Sequence, residues 1–232
     1  MFYSSSKAIG RVPLTLVCGE QSALRRLFVS RLLRQLPPQS FKLLAQRPES
    51  TDAFHEHDVQ WFDGAMGAVD EDCLCCGLRS GLGDALRSIF LSALSARGER
   101  LERGLIDAGN IRAEQLQQTL KHTPFLGQRF VYQATLWVLD PSEFDVQRLG
   151  AILFGVPSAP VSPLHHALPI GCLVVHQPPG WELETFETTF ENIQRAACEI
   201  SPEIGVVRMF SETLASDMGL LPSPAKSRLV GK

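Results

Sequence analysis

Three of the six cysteines fall within four consecutive positions, Cys73-Leu74-Cys75-Cys76. Thiolates are soft donors suited to Zn²⁺ or Cu(I), and a tetrahedral Zn²⁺ site takes four ligands. Cys73, Cys75 and Cys76 supply three at most, so a fourth position stays open to water, a side chain or a donor from a partner. Openness of that kind suits metal transfer. A helix beginning near Ser80 would aim its positive end at the cluster and favour thiolate over thiol. His55, Glu56, His57 and Asp58 precede the cluster and offer a fourth ligand; in an extended segment His55 and His57 share a face. Each feature also has a plainer reading. His-Glu-His on an exposed segment is ordinary solvated surface, and the cysteine triplet also reads as a remnant packed against a sheet.

The remaining chemistry-bearing residues point nowhere else. Cys18, Cys172 and Cys198 lie in expected core elements, where cysteine behaves as a small buried hydrophobe. His165-His166 falls in a Pro-rich stretch and reads as surface, and Phe186 with Phe190 reads as helix core. No G-x-S-x-G or H-E-x-x-H spacing occurs, so hydrolase chemistry has no foothold and no catalytic residues are assigned.

The elements that would position these groups alternate between strand and helix. Val12 to Cys18 reads as a buried strand ending at Gly19, and Leu24, Leu27, Phe28 and Leu32 then recur at helical spacing. Pro37-Pro38 stops that helix, and Phe41 to Ala45 resumes as a strand. Gly77, Gly81 and Gly83 punctuate the cysteine region. The next helix places Leu82, Ala85, Leu86, Ile89, Phe90, Ala93 and Leu94 on one face. Gly104 to Asp107 reads as a short strand, followed by a helix through Leu116 and Leu120. Phe130 to Leu139 is the longest β-rich run, closed by Asp140-Pro141, after which Ser142 is positioned to cap a helix carrying Phe144, Leu149, Ile152 and Leu153. Gly155 to Pro169 holds four of the 15 prolines and reads as an exposed loop. Cys172 to His176 is a strand, Phe186, Phe190, Ile193 and Ala197 line a helix, and Ile204 to Val207 closes the series. The expectation is a single α/β domain over residues 1–221, a mainly parallel sheet flanked by helices, with a frayed tail from Pro222 to Lys232.

Composition narrows the functions. The 232 residues are 44% hydrophobic, enough for a sizeable core and against disorder. The 22 Lys+Arg against 25 Asp+Glu give a net charge of −3, which does not favour nucleic acid. No apolar run reaches the ~18 residues that cross a bilayer. Met1 to Gly10 lacks the basic, apolar and small-residue order of a secretion signal, and adjacent thiols suit no disulfide framework. A reducing cytoplasm is the expected compartment.

The strand–turn–helix from Val12 to Leu33, the cysteine motif with its following helix, and the later strand ends together resemble the CobW-type proteins. That group belongs with the metal-chaperone GTPases that include the hydrogenase and urease nickel-insertion factors. Its Cys-x-Cys-Cys motif and succeeding helix match Asp72 through Arg87. Its switch segment ending in Q-T-L matches Gly109 and Gln118-Thr119-Leu120, and its strand ending in Asp matches Leu136 to Asp140. The resemblance covers roughly residues 12 to 210 and implies a phosphate-loop NTPase-like fold. The further C-terminal domain usual in the family has no counterpart in the 22 residues after Phe210.

The nucleotide elements of that family are altered. A phosphate loop wraps phosphates with backbone N–H groups from closely spaced glycines, reaches them with Lys, and holds Mg²⁺ with a Ser/Thr hydroxyl. The aligned stretch here is Gly19-Glu20-Gln21-Ser22-Ala23-Leu24-Arg25-Arg26-Leu27. Only the first Gly remains. Leu24 replaces a Gly, Arg25 stands for the Lys, Arg26 replaces the Mg²⁺ hydroxyl, and Glu20 adds a negative charge. Ile106 stands where the switch acid belongs, with Asp107 one place away and useful only if the register slips. The guanine-reading N-K-x-D becomes His176-Gln177-Pro178-Pro179. The resemblance therefore implies a CobW-like protein that binds Zn²⁺ or another divalent metal through Cys73, Cys75 and Cys76, without GTP/Mg²⁺ turnover. It also implies a protein partner or homo-oligomer. A pseudo-GTPase scaffold or regulatory subunit is the alternative, and a GTPase with unusual loops is a third reading.

Overall fold

Leu14, Leu16 and Val17 in β1 (Val12–Cys18) have no solvent exposure, so both faces of this strand are covered. A strand of that kind belongs in the middle of a parallel sheet with helices on either side. The computed structural model describes residues 11–36, 41–46, 59–62, 81–95, 101–108, 113–147, 149–150 and 170–210. The other strands are β2 (Phe41–Gln46), β3 (Val59–Phe62), β4 (Arg103–Asp107), β5 (Phe130–Leu139), β6 (Ile170–Val175) and β7 (Gly205–Arg208). All pair in parallel, in the order β3-β2-β4-β1-β5-β6-β7. The chain winds outward from β1 first to the β2/β3 side and later to the β6/β7 side. Such a reversal opens a crevice at the carboxyl ends of the central strands.

Helix α1 (Ser22–Gln35) covers one face, where Phe28, Val29 and Leu32 pack on Val17, Leu43, Leu105, Leu136 and Val174. On the opposite face α2 (Gly81–Ser95), α3 (Ala113–His122) and α4 (Pro124–Arg129) bury Leu82, Leu86, Ile89, Leu116 and Leu126 against Leu14, Leu16, Leu44 and Ile106. Helix α5 (Leu183–Ile200) extends that layer, setting Phe186, Phe190, Ile193 and Ala197 on Leu139, Leu173 and Val175. The expected α/β sheet with flanking helices is thus present.

Four local expectations are corrected. The buried stripe of α1 is Arg25, Phe28, Val29 and Leu32, which turns Leu27 outward to 43% exposure. In α2 the buried face ends at Ile89, and Leu94 is 68% exposed. Cys198 is exposed, because it lies about 100° around α5 from the buried Ala197. Ser142 does not cap the expected helix: Asp140 caps a single 3₁₀ turn over Pro141–Glu143, accepting a hydrogen bond from the Ser142 amide. Helical residues begin only at Val146, with Leu149 buried and its amide bonded to the Asp145 carbonyl. Two elements are not anticipated from local sequence pattern, the edge strand β3 and the short α4, which follows directly after α3.

Candidate functional site

The turn from β1 into α1 lies at the carboxyl edge of the sheet. Gly19 leaves β1 at φ +146°, where a side chain is strained, and a Cβ there would stand 2.6 Å from the Val138 carbonyl oxygen. Six residues on, Arg25 falls in phase with the apolar stripe of α1 and is carried inward to 7% exposure. A buried guanidinium needs partners for its charge and its donors. It finds two. Nε donates to Asp107 Oδ1 at 2.8 Å, and Nη1 donates to the Gly19 carbonyl oxygen at 2.6 Å.

The β4 register explains why Asp107 is the acid that meets it. Leu16 pairs with Ile106 and Val17 with Asp107, with no bulge between them. Alternation then sends Ile106 into the α2/α3 face and Asp107, like Leu105 and Val17, towards α1. No register slip is needed for Asp107 to reach the turn, because it approaches from the other face. Ala108 N–H to the Val17 carbonyl, at 2.9 Å, fixes the backbone there. Sequence spacing alone does not reveal this pair. Its available signal was the in-phase position of Arg25 among apolar residues, since such an Arg demands a counter-ion.

The loop presents a carbonyl oxygen to a cation, and that cation belongs to the chain. Arg26 is only half buried, and Glu20 is exposed. Gln21, the residue before α1, makes no side-chain cap; its amide donates instead to Asp140 Oδ2 at 3.1 Å. Asp140 Oδ1 also accepts from the Ser142 amide at 2.9 Å and the Ser142 hydroxyl at 2.7 Å. Burial alone would push the Asp140 carboxyl up, but these hydrogen bonds and the nearby His176 outweigh it and hold the carboxyl below its usual range.

His176 follows β6, its amide bonded to the Leu139 carbonyl at 3.0 Å. Its ring is buried against Phe210, with centroids 5.6 Å apart, and Arg31 lies over the other ring at 4.9 Å. Nδ1 of His176 is buried without a hydrogen-bond partner. Burial lowers its pKa, against the opposing pull of Asp140. Cys18, on the α2/α3 face of β1, is a thiol pushed up to about 12 by burial, which makes it an inert core group.

Of the residues singled out in the sequence, Gly19 and Arg25 come together at this turn, while Arg26 does not join their contacts. Thr119 and Leu120 of the Q-T-L stretch are buried within α3, and Gln118 bonds His122 on the helix surface. Cys73, Cys75 and Cys76, the His55–Asp58 segment, Gly109 and His165-His166 lie outside the described residues. Among the described residues no cluster of three or more His, Cys, Asp or Glu side chains could hold a metal ion. No described helix is long and apolar enough to cross a membrane.

No protein-family model matches the sequence, and no curated protein matches it. Among solved structures the chain is similar to the crystal structure of the Zn(II)-bound YjiA GTPase from E. coli. Identity is 12% and the TM-score 0.49, with 85% of this chain and 57% of that chain covered.

Proposed function

We propose that this chain is a CobW-like metal-binding protein that handles Zn²⁺ or a related divalent ion and does not hydrolyse GTP. The observation that carries the reading is the engagement of Arg25. It stands at the phosphate-gripping Lys position, yet its guanidinium is already neutralised by Asp107 and bonded to the Gly19 carbonyl. The residues present fit GTP·Mg²⁺ poorly for three further reasons. Leu24 puts a side chain where backbone should approach phosphate, Arg26 offers no hydroxyl to Mg²⁺, and His176 provides no carboxylate for guanine.

Metal as cargo is assigned to Cys73, Cys75 and Cys76 on their sequence spacing. Three thiolates bind a soft divalent ion firmly and leave one coordination position for delivery. Under reducing conditions the protein should bind about one Zn²⁺ per chain or per shared site. Replacing all three cysteines by Ser should abolish that binding; unchanged affinity rejects the metal reading. Titration with GTP and Mg²⁺ should give no heat and no phosphate release, and turnover by the folded protein would restore the GTPase reading.

A pseudo-GTPase scaffold or regulatory subunit is the second reading. It is favoured by a shallow groove on α1 lined by Leu27, Ser30, Arg31 and Phe210, where Leu27 and Phe210 are over two-fifths exposed. A stable stoichiometric protein partner, co-purifying with metal-free protein, would select it.

A further inference from the structure

We infer that the Arg25–Asp107 pair is a permanent tie between the turn after β1 and the carboxyl end of β4, holding this edge of the sheet in one arrangement whatever anion is present. The inference deepens the proposed loss of GTP chemistry and rests on that reading's placement of Arg25 at the Lys position.

Two segments far apart in sequence meet on one planar group. Nε reaches Asp107, 82 residues away, while Nη1 reaches back to Gly19 in the turn itself. The side chains of Arg25 and Asp107 are only 9% and 8% exposed. Neither ion can leave without stranding the other away from water, which is the costly outcome for a buried pair. Both partners are also held by backbone. The register Val17 to Asp107 and the Ala108 amide bond fix the strand end. The turn takes this path at a glycine, because a side chain at Gly19 would be strained at its positive φ and would meet the Val138 carbonyl.

A nucleotide-driven switch depends on a ligand that joins its phosphate loop to a neighbouring strand end and later departs. Here the joining group is a side chain of the protein and cannot depart. An incoming polyanion would have to strip Arg25 from Asp107 and leave a carboxylate buried without its cation. The tie therefore predicts an edge that does not respond to phosphate-bearing ligands.

Hydrogen exchange with mass spectrometry on the full chain tests this, with inorganic pyrophosphate as the probe anion. In the unmodified protein, exchange over residues 17–25 and 105–108 should be the same with and without millimolar pyrophosphate and Mg²⁺. Asp107→Asn should accelerate exchange in both segments together, by about ten-fold or more. Arg25→Lys keeps the charge but loses the planar fork, so it should accelerate both segments less. Should Asp107→Asn not fold, Arg25→Lys carries the test. Pyrophosphate-induced protection in the unmodified protein overturns the tie, as does an Asp107→Asn or Arg25→Lys effect confined to the substituted segment. GTP hydrolysis with exchange unchanged by nucleotide would reject the proposed function and leave the tie standing. Loss of the tie without hydrolysis does the reverse.

Discussion

Beside β1 and β4, Arg25 and Asp107 neutralise each other almost out of contact with water, with the Gly19 carbonyl taking a further guanidinium donor. Beside β5 and β6, on the same edge of the sheet, Asp140 accepts hydrogen bonds from Gln21 and Ser142, while His176 is buried without a partner for Nδ1. The first region is closed: Arg25 gives Nε to Asp107 and Nη1 to the Gly19 carbonyl, and both charged side chains are nearly buried. The second is held by neutral donors and remains partly open. A positive charge beside a helix N-terminus is therefore no measure of anion affinity. What counts is whether that charge has already been spent, and the two regions differ in this respect.

The largest effect should come from breaking the closed region. Arg25→Met leaves Asp107 buried without its cation, a change that costs about 3–5 kcal/mol. For a domain of this size the melting temperature should fall by about 6–20 °C. Adding Asp107→Leu to Arg25→Met removes the stranded charge and should recover most of the loss. Two losses that simply add would mean the side chains act independently and would dissolve the contrast with the β5/β6 region. Calorimetry of the two single variants and the double variant decides it.

Gly19→Ala probes the same region through its backbone. Alanine would have to adopt φ +146° with its Cβ 2.6 Å from the Val138 carbonyl oxygen. Strain of this kind costs about 1–3 kcal/mol, and the melting temperature should drop by roughly 2–12 °C. An unchanged melting temperature would show that the turn can be re-aimed, and the fixed carbonyl would lose its part in the closed region.

How far the sequence discloses these regions depends on the range of the interactions. Alternating strand and helix patterns reveal nearly every major element, because each is set by local periodicity and by punctuation such as Gly19, Pro37-Pro38 and Asp140-Pro141. Edge strand β3 escapes notice because four residues, with Gln60 and Trp61 half exposed, carry too little pattern. Helix α4 hides because the sequence runs on from α3, with only Pro124 marking the new start. The stripe of α1 is offset because Leu27 looks like core, while the helix turns Arg25 inward to meet an acid. That acid comes from β4, and only the pairing of Val17 with Asp107 brings it there. Position in the chain says that Asp107 misses the expected place by one residue; the pleat says that one residue sends it to the opposite face. Gly19 and Arg25 are legible as candidates, but their mutual bond depends on tertiary geometry.

In the open region the effects should be smaller. Asp140→Ala removes the acceptor for the Ser142 amide and for the Gln21 side chain, and loss of such a cap costs about 1 kcal/mol. The melting temperature should fall by roughly 2–4 °C. A drop as large as that for Arg25→Met would mean that Asp140 is as deeply committed as Asp107, and the contrast between the two regions would vanish.

The finest test uses pH. Burial lowers the His176 pKa in the folded chain, so the unfolded chain takes up a proton first as pH falls. Stability from this group is therefore complete above the ordinary histidine value of about 6.5 and declines as pH drops below it, until the lowered folded value is also passed. Asp140 works in a lower window. Its folded pKa is depressed, so its contribution persists above 3.8 and is lost only as pH falls further towards the folded value. Between the two windows the sheet edge should weaken through His176 alone of this pair. Urea unfolding at several pH values between about 7.5 and 5 should show stability falling with pH, and His176→Gln should flatten that slope. An identical slope in both proteins would mean that His176 is protonated as readily in the fold as in the unfolded chain. Its packing against Phe210 would then leave the ring open to water, and the β5/β6 region would be more open than the buried imidazole implies.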